Sequence, residues 1–150
     1  MKQYRENNMQ HEKRRHNRLP VLHEIDEPIQ MSLDNQSVPG ILIDLSAGGM
    51  ALLSFTSIPV GTNINVSLDI PGIKTQPLEG KAVWALAKGE MWRIGIVFTK
   101  IDPTDFRHIN RVAFDATDCD TKLSLGVTDI CFEKCSYYPL CDKNIKLPKK

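Results

Sequence analysis

From Pro28 to Phe98 the chain alternates short apolar runs with clusters of turn-forming residues, and that rhythm limits what it can fold into. Ile29, Met31 and Leu33 stand at every second position, as do Ile64, Val66, Leu68 and Ile70. A period of two gives a strand one face for a core and one for solvent. The interruptions carry turn chemistry: Asp34-Asn35-Gln36-Ser37, Pro59-Val60-Gly61-Thr62, Pro71-Gly72 and Lys88-Gly89-Glu90. The pattern predicts strands over 28–33, 40–44, 49–53, 63–70, 78–86 and 92–98. Six short strands joined by tight turns argue for an antiparallel all-β body, enough to close a small barrel and hide its edges.

A helix follows. Asp102-Pro103-Thr104-Asp105 reads as an N-cap, a proline at the first helical position and an acid in the first turn. Phe106, Ile109, Val112 and Ala113 then recur at spacings of three and four, one face of a helix through about Ala116 that should cover an end or face of the barrel. Residues 1–13 are polar and aperiodic, the pattern of a flexible arm. The organisation expected is therefore an arm over 1–13, a barrel with its helix over 14–116, and a cysteine-containing tail over 117–150. The 150 residues suit one domain with a real core. No apolar run approaches the ~20 residues that span a bilayer, and the N-terminus lacks the apolar stretch of a secretory signal. All four cysteines lie at or beyond Cys119, so no disulfide framework staples the body, which points to a reducing, cytoplasmic setting.

Charge is balanced overall, at +1, but unevenly placed. Residues 1–18 hold six cations (Lys2, Arg5, Lys13, Arg14, Arg15, Arg18) against Glu6 and Glu12, a local +4 that leaves −3 for the rest; no Lys or Arg occurs between Leu19 and Ile73. A basic arm beside an acidic body suits a small polyanion better than a nucleic acid polymer, which asks for a basic stripe across the surface. Arginine forks match phosphate oxygens and the O6/N7 edge of guanine. About 30 residues on, Asp44-Leu45-Ser46-Ala47-Gly48-Gly49 sits on a tight turn between two apolar strands. Its carboxylate can accept from guanine N1–H and N2–H₂, and its hydroxyl can serve base or phosphate. Together the two motifs describe a pocket for an anionic guanine nucleotide.

These residues resemble the PilZ domain family, bacterial receptors for the second messenger cyclic di-GMP. That family carries RxxxR followed at about this distance by [D/N]xSxxG; Arg14-x-x-x-Arg18 and Asp44-x-Ser46-x-x-Gly49 match both. Gly80-Lys81-Ala82-Val83-Trp84 and Arg93-Ile94-Gly95-Ile96-Val97-Phe98 look like the family's last two strands, and the resemblance covers roughly 13–116. It implies a six-stranded PilZ-like barrel in which Arg14 and Arg18 contact the phosphates and the Hoogsteen edge of guanine, with Arg15 as helper. Asp44 and Ser46 would hold guanine or phosphate from the barrel surface, and Gly49 would keep the turn clear of a Cβ. The arm would order over the dinucleotide and change contacts with an effector protein, for example in motility, secretion or biofilm polysaccharide synthesis. The partner is not specified, and a homodimer stays open.

The simpler readings of the same residues are a solvated basic tail for Arg14, Arg15 and Arg18, a capped hairpin turn for Asp44 and Ser46, and barrel packing for Trp84 and Trp92, with one of the two tryptophans able to border the pocket. No enzyme constellation emerges. His11 and His16 are five apart, off the i, i+4 spacing of a helical zinc site; Ser46 lacks the preceding glycine of a nucleophile elbow, and there is no phosphate-loop lysine. The alternatives to a nucleotide receptor are an adaptor working by protein contacts alone and a metal- or redox-sensing protein acting through its tail. Cys119, Cys131, Cys135 and Cys141, spaced C-x₁₁-C-x₃-C-x₅-C, could carry zinc or an iron–sulfur cluster, although they match no standard spacing.

Overall fold

The computed structural model describes residues 16, 18–20, 28–33, 36–132, 134–141, 143 and 146. The expected arm over 1–13 falls outside them. Nine strands are present among the described residues: β1 (Leu19–Pro20), β2 (Ile29–Leu33), β3 (Gln36–Ser46), β4 (Gly49–Ser54), β5 (Asn63–Val66), β6 (Asp69–Ile70), β7 (Ile73–Lys74), β8 (Leu78–Lys88) and β9 (Met91–Lys100). Helix α1 (Pro103–Ser124) and a 3-10 turn (Tyr138–Leu140) follow.

The pairing closes on itself. β3 pairs with β2 through its first half and with β4 through its second; β4 then pairs with β9, β9 with β8, β8 with β5 and β5 with β2, all antiparallel. These six strands form the expected barrel, and β1 adds beside the end of β3. Closure leaves these strands no long unpaired edge. The β8–β9 hairpin turns at Gly89, whose φ of +66° is the left-handed geometry that two-residue hairpin turns require.

Inside the barrel Met31, Leu42, Leu45, Leu52, Ile64, Leu78 and Ile94 are all at most 1% exposed. Helix α1 closes the core with Ile109, Val112, Ala113 and Ala116 and lies against β1, β3 and β7. Asp102 caps it, its carboxylate accepting from the Thr104 N–H at 2.8 Å. Asp105 accepts from the Gln76 N–H at 2.9 Å, and His108 Nε2 lies 2.7 Å from the Gly72 carbonyl, which makes that nitrogen the donor. Both bonds fasten the β6–β7 hairpin and the loop after it to the helix start.

Three boundaries differ from the sequence reading. β3 starts at Gln36, four residues before the predicted 40–44 strand, because β2 pairs with it back to Leu33↔Gln36. The strand predicted over 63–70 breaks after Val66, where the Leu68 N–H turns to the Thr75 hydroxyl at 3.0 Å and Asp69–Ile70 pairs with Ile73–Lys74. Leu68 and Ile70 stay buried, so the apolar alternation survives the bend that ends the ladder. Helix α1 runs past Ala116 to Ser124. Its apolar stripe stops, but an Asp118–Lys122 pair at 2.8 Å continues the helix, and a Schellman closure ends it: Gly126 N–H to Leu123 O at 3.1 Å and Val127 N–H to Lys122 O at 3.0 Å.

Candidate functional site

Two irregularities in the sheet decide which side chains meet solvent. Val38, Gly40 and Leu42 face the interior, so strict alternation would send Asp44 and Ser46 inward as well. Between Leu42 and Asp44 the β3–β4 register slips by one residue, at Ile43. This bulge turns the strand over: Leu45 enters the core, and Asp44 and Ser46 come to the outer face. A second slip, between Ala82 and Trp84, does the same for Trp84 on β8. The pairings Asp44↔Ala51, Ala51↔Gly95 and Gly95↔Trp84 then set these four residues in one row across β3, β4, β9 and β8. At roughly 4.8 Å per strand step the row spans about 14 Å.

A groove of about 210 Å³ lies along this row. Arg18, Asp44, Ser46, Gly48 and Gly49 line it from the β1 and β3–β4 side, and Val83, Trp84, Gly95 and Val97 from β8 and β9. The register Leu19↔Leu45 and Pro20↔Asp44 carries Arg18 to the level of Ser46, so a residue of the basic motif and the acidic turn meet across a single strand pairing. Neither the Arg18 guanidinium nor the Asp44 carboxylate has a hydrogen bond or ion pair with another described residue. A cation and an anion held on one concave surface without spending their charges on each other are fitted to a polar ligand.

Other expected residues have local duties. The Ser46 hydroxyl accepts from the Gly48 N–H at 3.2 Å and donates to the Gly49 carbonyl at 3.3 Å, closing the turn. A Cβ at Gly49 would overlap the Ile96 carbonyl, so the sheet itself demands glycine there. His16, inside the arginine motif, lies over Gly48, where a Cβ would stand 2.8 Å from its Cδ2, and meets Phe106 of α1 edge-on with ring centroids 5.1 Å apart. The imidazole thus touches both the hairpin turn and the helix. Arg14 and Arg15 lie outside the described residues.

The sequence reading gave Trp84 and Trp92 to barrel packing, with one of the two able to border the pocket; Trp84 is that one, 39% exposed on the outer face and lining the groove, with its indole over Gly95 where any Cβ would collide with it. Trp92, by contrast, packs partly buried against the core. The signal for Trp84 was the small residue opposite it, but only the bulge tells which face the pair occupies.

The four cysteines are partly buried and form no disulfide among the described residues. Cys119 is on α1, and the others follow it in the segment around the 3-10 turn; all four line a second, narrow cleft of about 20 Å³. As they lie, no three His, Cys, Asp or Glu side chains among the described residues are grouped to hold a metal ion. Burial pushes the Cys135 thiol up from its ordinary value. Asp115, buried on α1, accepts from the Ser136 N–H at 3.0 Å and hydroxyl at 2.6 Å and so clamps the cysteine segment to the helix. No helix among the described residues is long and apolar enough to cross a membrane.

No curated protein matches the chain in sequence. Among solved structures, YcgR from Escherichia coli in complex with c-di-GMP is similar with a TM-score of 0.55 at 20% identity, over 76% of this chain and 50% of that one. The inhibitor of motility MotI/DgrA from Bacillus subtilis is similar with a TM-score of 0.54 at 15% identity, over 70% of this chain and 51% of that one. The chain spans about half the length of each, and at these identities the likeness is one of fold. The family model described as the PilZ domain matches residues 12–115. That match takes in the barrel, both motifs and the first half of α1, and the chain accordingly belongs to the PilZ domain family.

Proposed function

We propose that this protein is a binding receptor for cyclic di-GMP, taken on the outer face of the barrel along the Asp44–Trp84 row. The observation that carries the reading is the meeting of Arg18 and Asp44, 26 residues apart in number, on one groove with neither charge paired to another described residue. Asp44 accepts from the N1–H and N2–H₂ edge of a guanine, and Arg18 donates to a phosphate or to O6/N7. Trp84 offers a ring face for a base. The groove, at about 210 Å³, is smaller than the roughly 300–1,000 Å³ of sites that enclose a drug-sized ligand. The barrel surface therefore takes part of the dinucleotide, and the arm through Arg14 and Arg15 supplies the rest by ordering over it. The altered arm and groove rim then form the surface an effector protein meets. Catalysis has no part in this reading.

Calorimetry with cyclic di-GMP on wild type, Arg14→Ala, Arg18→Ala and Asp44→Ala tests it. Each charge-assisted bond contributes roughly 1.5–3 kcal/mol, so each substitution should weaken binding roughly 10- to 150-fold. Saturable binding that all three leave unchanged would move the site elsewhere. Absence of binding by the wild type would favour an adaptor working through protein contacts, for which exposed Val83, Leu86 and Val97 on β8 and β9 provide an apolar surface.

A further inference from the structure

The chain from Leu125 to Lys146 is a structural puzzle. Among its described residues only the 3-10 turn is regular, and only Tyr137 and Leu140 are buried apolar side chains. Stretches of this length without secondary structure are uncommon in a folded domain unless something fixes them. Hydrogen bonds and charges hold this one to α1 at two points, Asp115 to Ser136 and Lys143 to Asp120 at 2.7 Å, and the Lys146 ammonium over the Tyr138 ring at 4.2 Å closes the segment on itself. These anchors bring all four cysteines of the protein, from the last turns of α1 and three positions beyond, to one cleft.

We infer that this cleft is a structural zinc site formed by Cys119, Cys131, Cys135 and Cys141. Four thiolates are the tetrahedral donor set of structural zinc, which stabilises small segments that cannot build a core of their own. Size separates one ion from a cluster. A cleft of about 20 Å³ holds little more than one water-sized sphere, which occupies roughly 10–15 Å³. An iron–sulfur cluster would need the segment forced apart. Charge agrees as well: four thiolates around Zn²⁺ carry a net −2, and two cations stand beside them. Lys146 lines the cleft, and Lys143, paired with Asp120 beside Cys119 in the sequence, is the second cation of the segment; such groups serve thiolate centres as outer-shell partners. The thiols are not grouped at ligand spacing as they lie, so zinc binding has to draw them inward. Each thiol releases its proton to solvent as its sulfur ligates, and no oxidant or reductant is involved.

The test is metal analysis of the full chain purified anaerobically, with cobalt substitution and a Cys135→Ser/Cys141→Ser variant. The expected result is about one zinc per chain, intense thiolate-to-cobalt charge-transfer and tetrahedral d–d bands on exchange, and loss of both in the variant. The variant's barrel should still unfold cooperatively by tryptophan fluorescence, which separates loss of the site from loss of the fold. Wild type without stoichiometric metal, iron with acid-labile sulfide in place of zinc, or full zinc content in the variant would each overturn the assignment. None of these readouts depends on nucleotide binding.

Discussion

Trp84 lies over Gly95 with one face to the protein and the other toward the groove, at the far end of the row from Asp44. An indole held this way has little rotamer freedom left to lose, which makes it an efficient surface for a purine. Stacking of a base on an aromatic side chain is worth roughly 1–3 kcal/mol by alanine substitution. Trp84→Ala should therefore weaken cyclic di-GMP binding about 5- to 150-fold while Trp84→Phe recovers much of it, and quenching of the wild-type indole on titration would report the contact directly. A purely structural Trp84 would change stability and leave affinity alone. Gly48 offers a second handle at this scale. A leucine there would displace the His16 ring from its contact with Phe106, so Gly48→Leu should weaken binding with the groove charges intact.

Elements show how far sequence reading reaches. Period two marked the strands at 28–33 and 63–70, whose side chains record one wet and one dry face, and apolar runs between turn residues marked the other four barrel strands. The helix start was equally legible: Asp102-Pro103 does there what caps and N1 prolines do, and Asp102→Ala should cost about 0.5–2 kcal/mol by urea unfolding. The bulges were not legible. Ile41-Leu42-Ile43 is apolar throughout, so nothing in it says that Ile43 is the inserted residue; the slip is set by how β3 meets β4 across the barrel. Yet the position of Ile43 outside the ladder is what leaves Asp44 and Ser46 outward. Deleting Ile43 would close a regular ladder in which Asp44 stays opposite Ala51 on the outer face and Leu45 stays in the core. Retained cyclic di-GMP binding by calorimetry is the expected outcome, and its loss would mean that the bulge itself shapes the site. The end of α1 was legible in part. Gly126 is the stop, but the apolar stripe fades ten residues earlier because beyond Ala116 the helix leaves the barrel and makes polar contacts to the tail.

Among the described elements α1 is the one that reaches toward both candidate sites. Near its start Phe106 meets His16 of the arm; further along, Asp115 holds Ser136, and Cys119 faces the cysteine cleft. Contact at both ends does not by itself couple them, since coupling needs an element with two arrangements that each site biases differently. The helix is capped at its start, closed by a Schellman motif and buried along Ile109, Val112, Ala113 and Ala116, so it has little freedom to adopt a second arrangement. The tail should therefore loosen independently of the nucleotide site. Asp115→Ala removes two hydrogen bonds to a carboxylate, a loss of roughly 1.5–3 kcal/mol for the segment they hold. Amide exchange around 134–141 should accelerate while the protection of β3, β4, β8 and β9 stays as in wild type. Affinity for cyclic di-GMP should stay within about twofold, because a coupling free energy near zero is what a single helix arrangement implies. A tenfold change in that affinity would mean the helix moves, and that the tail is read by the barrel.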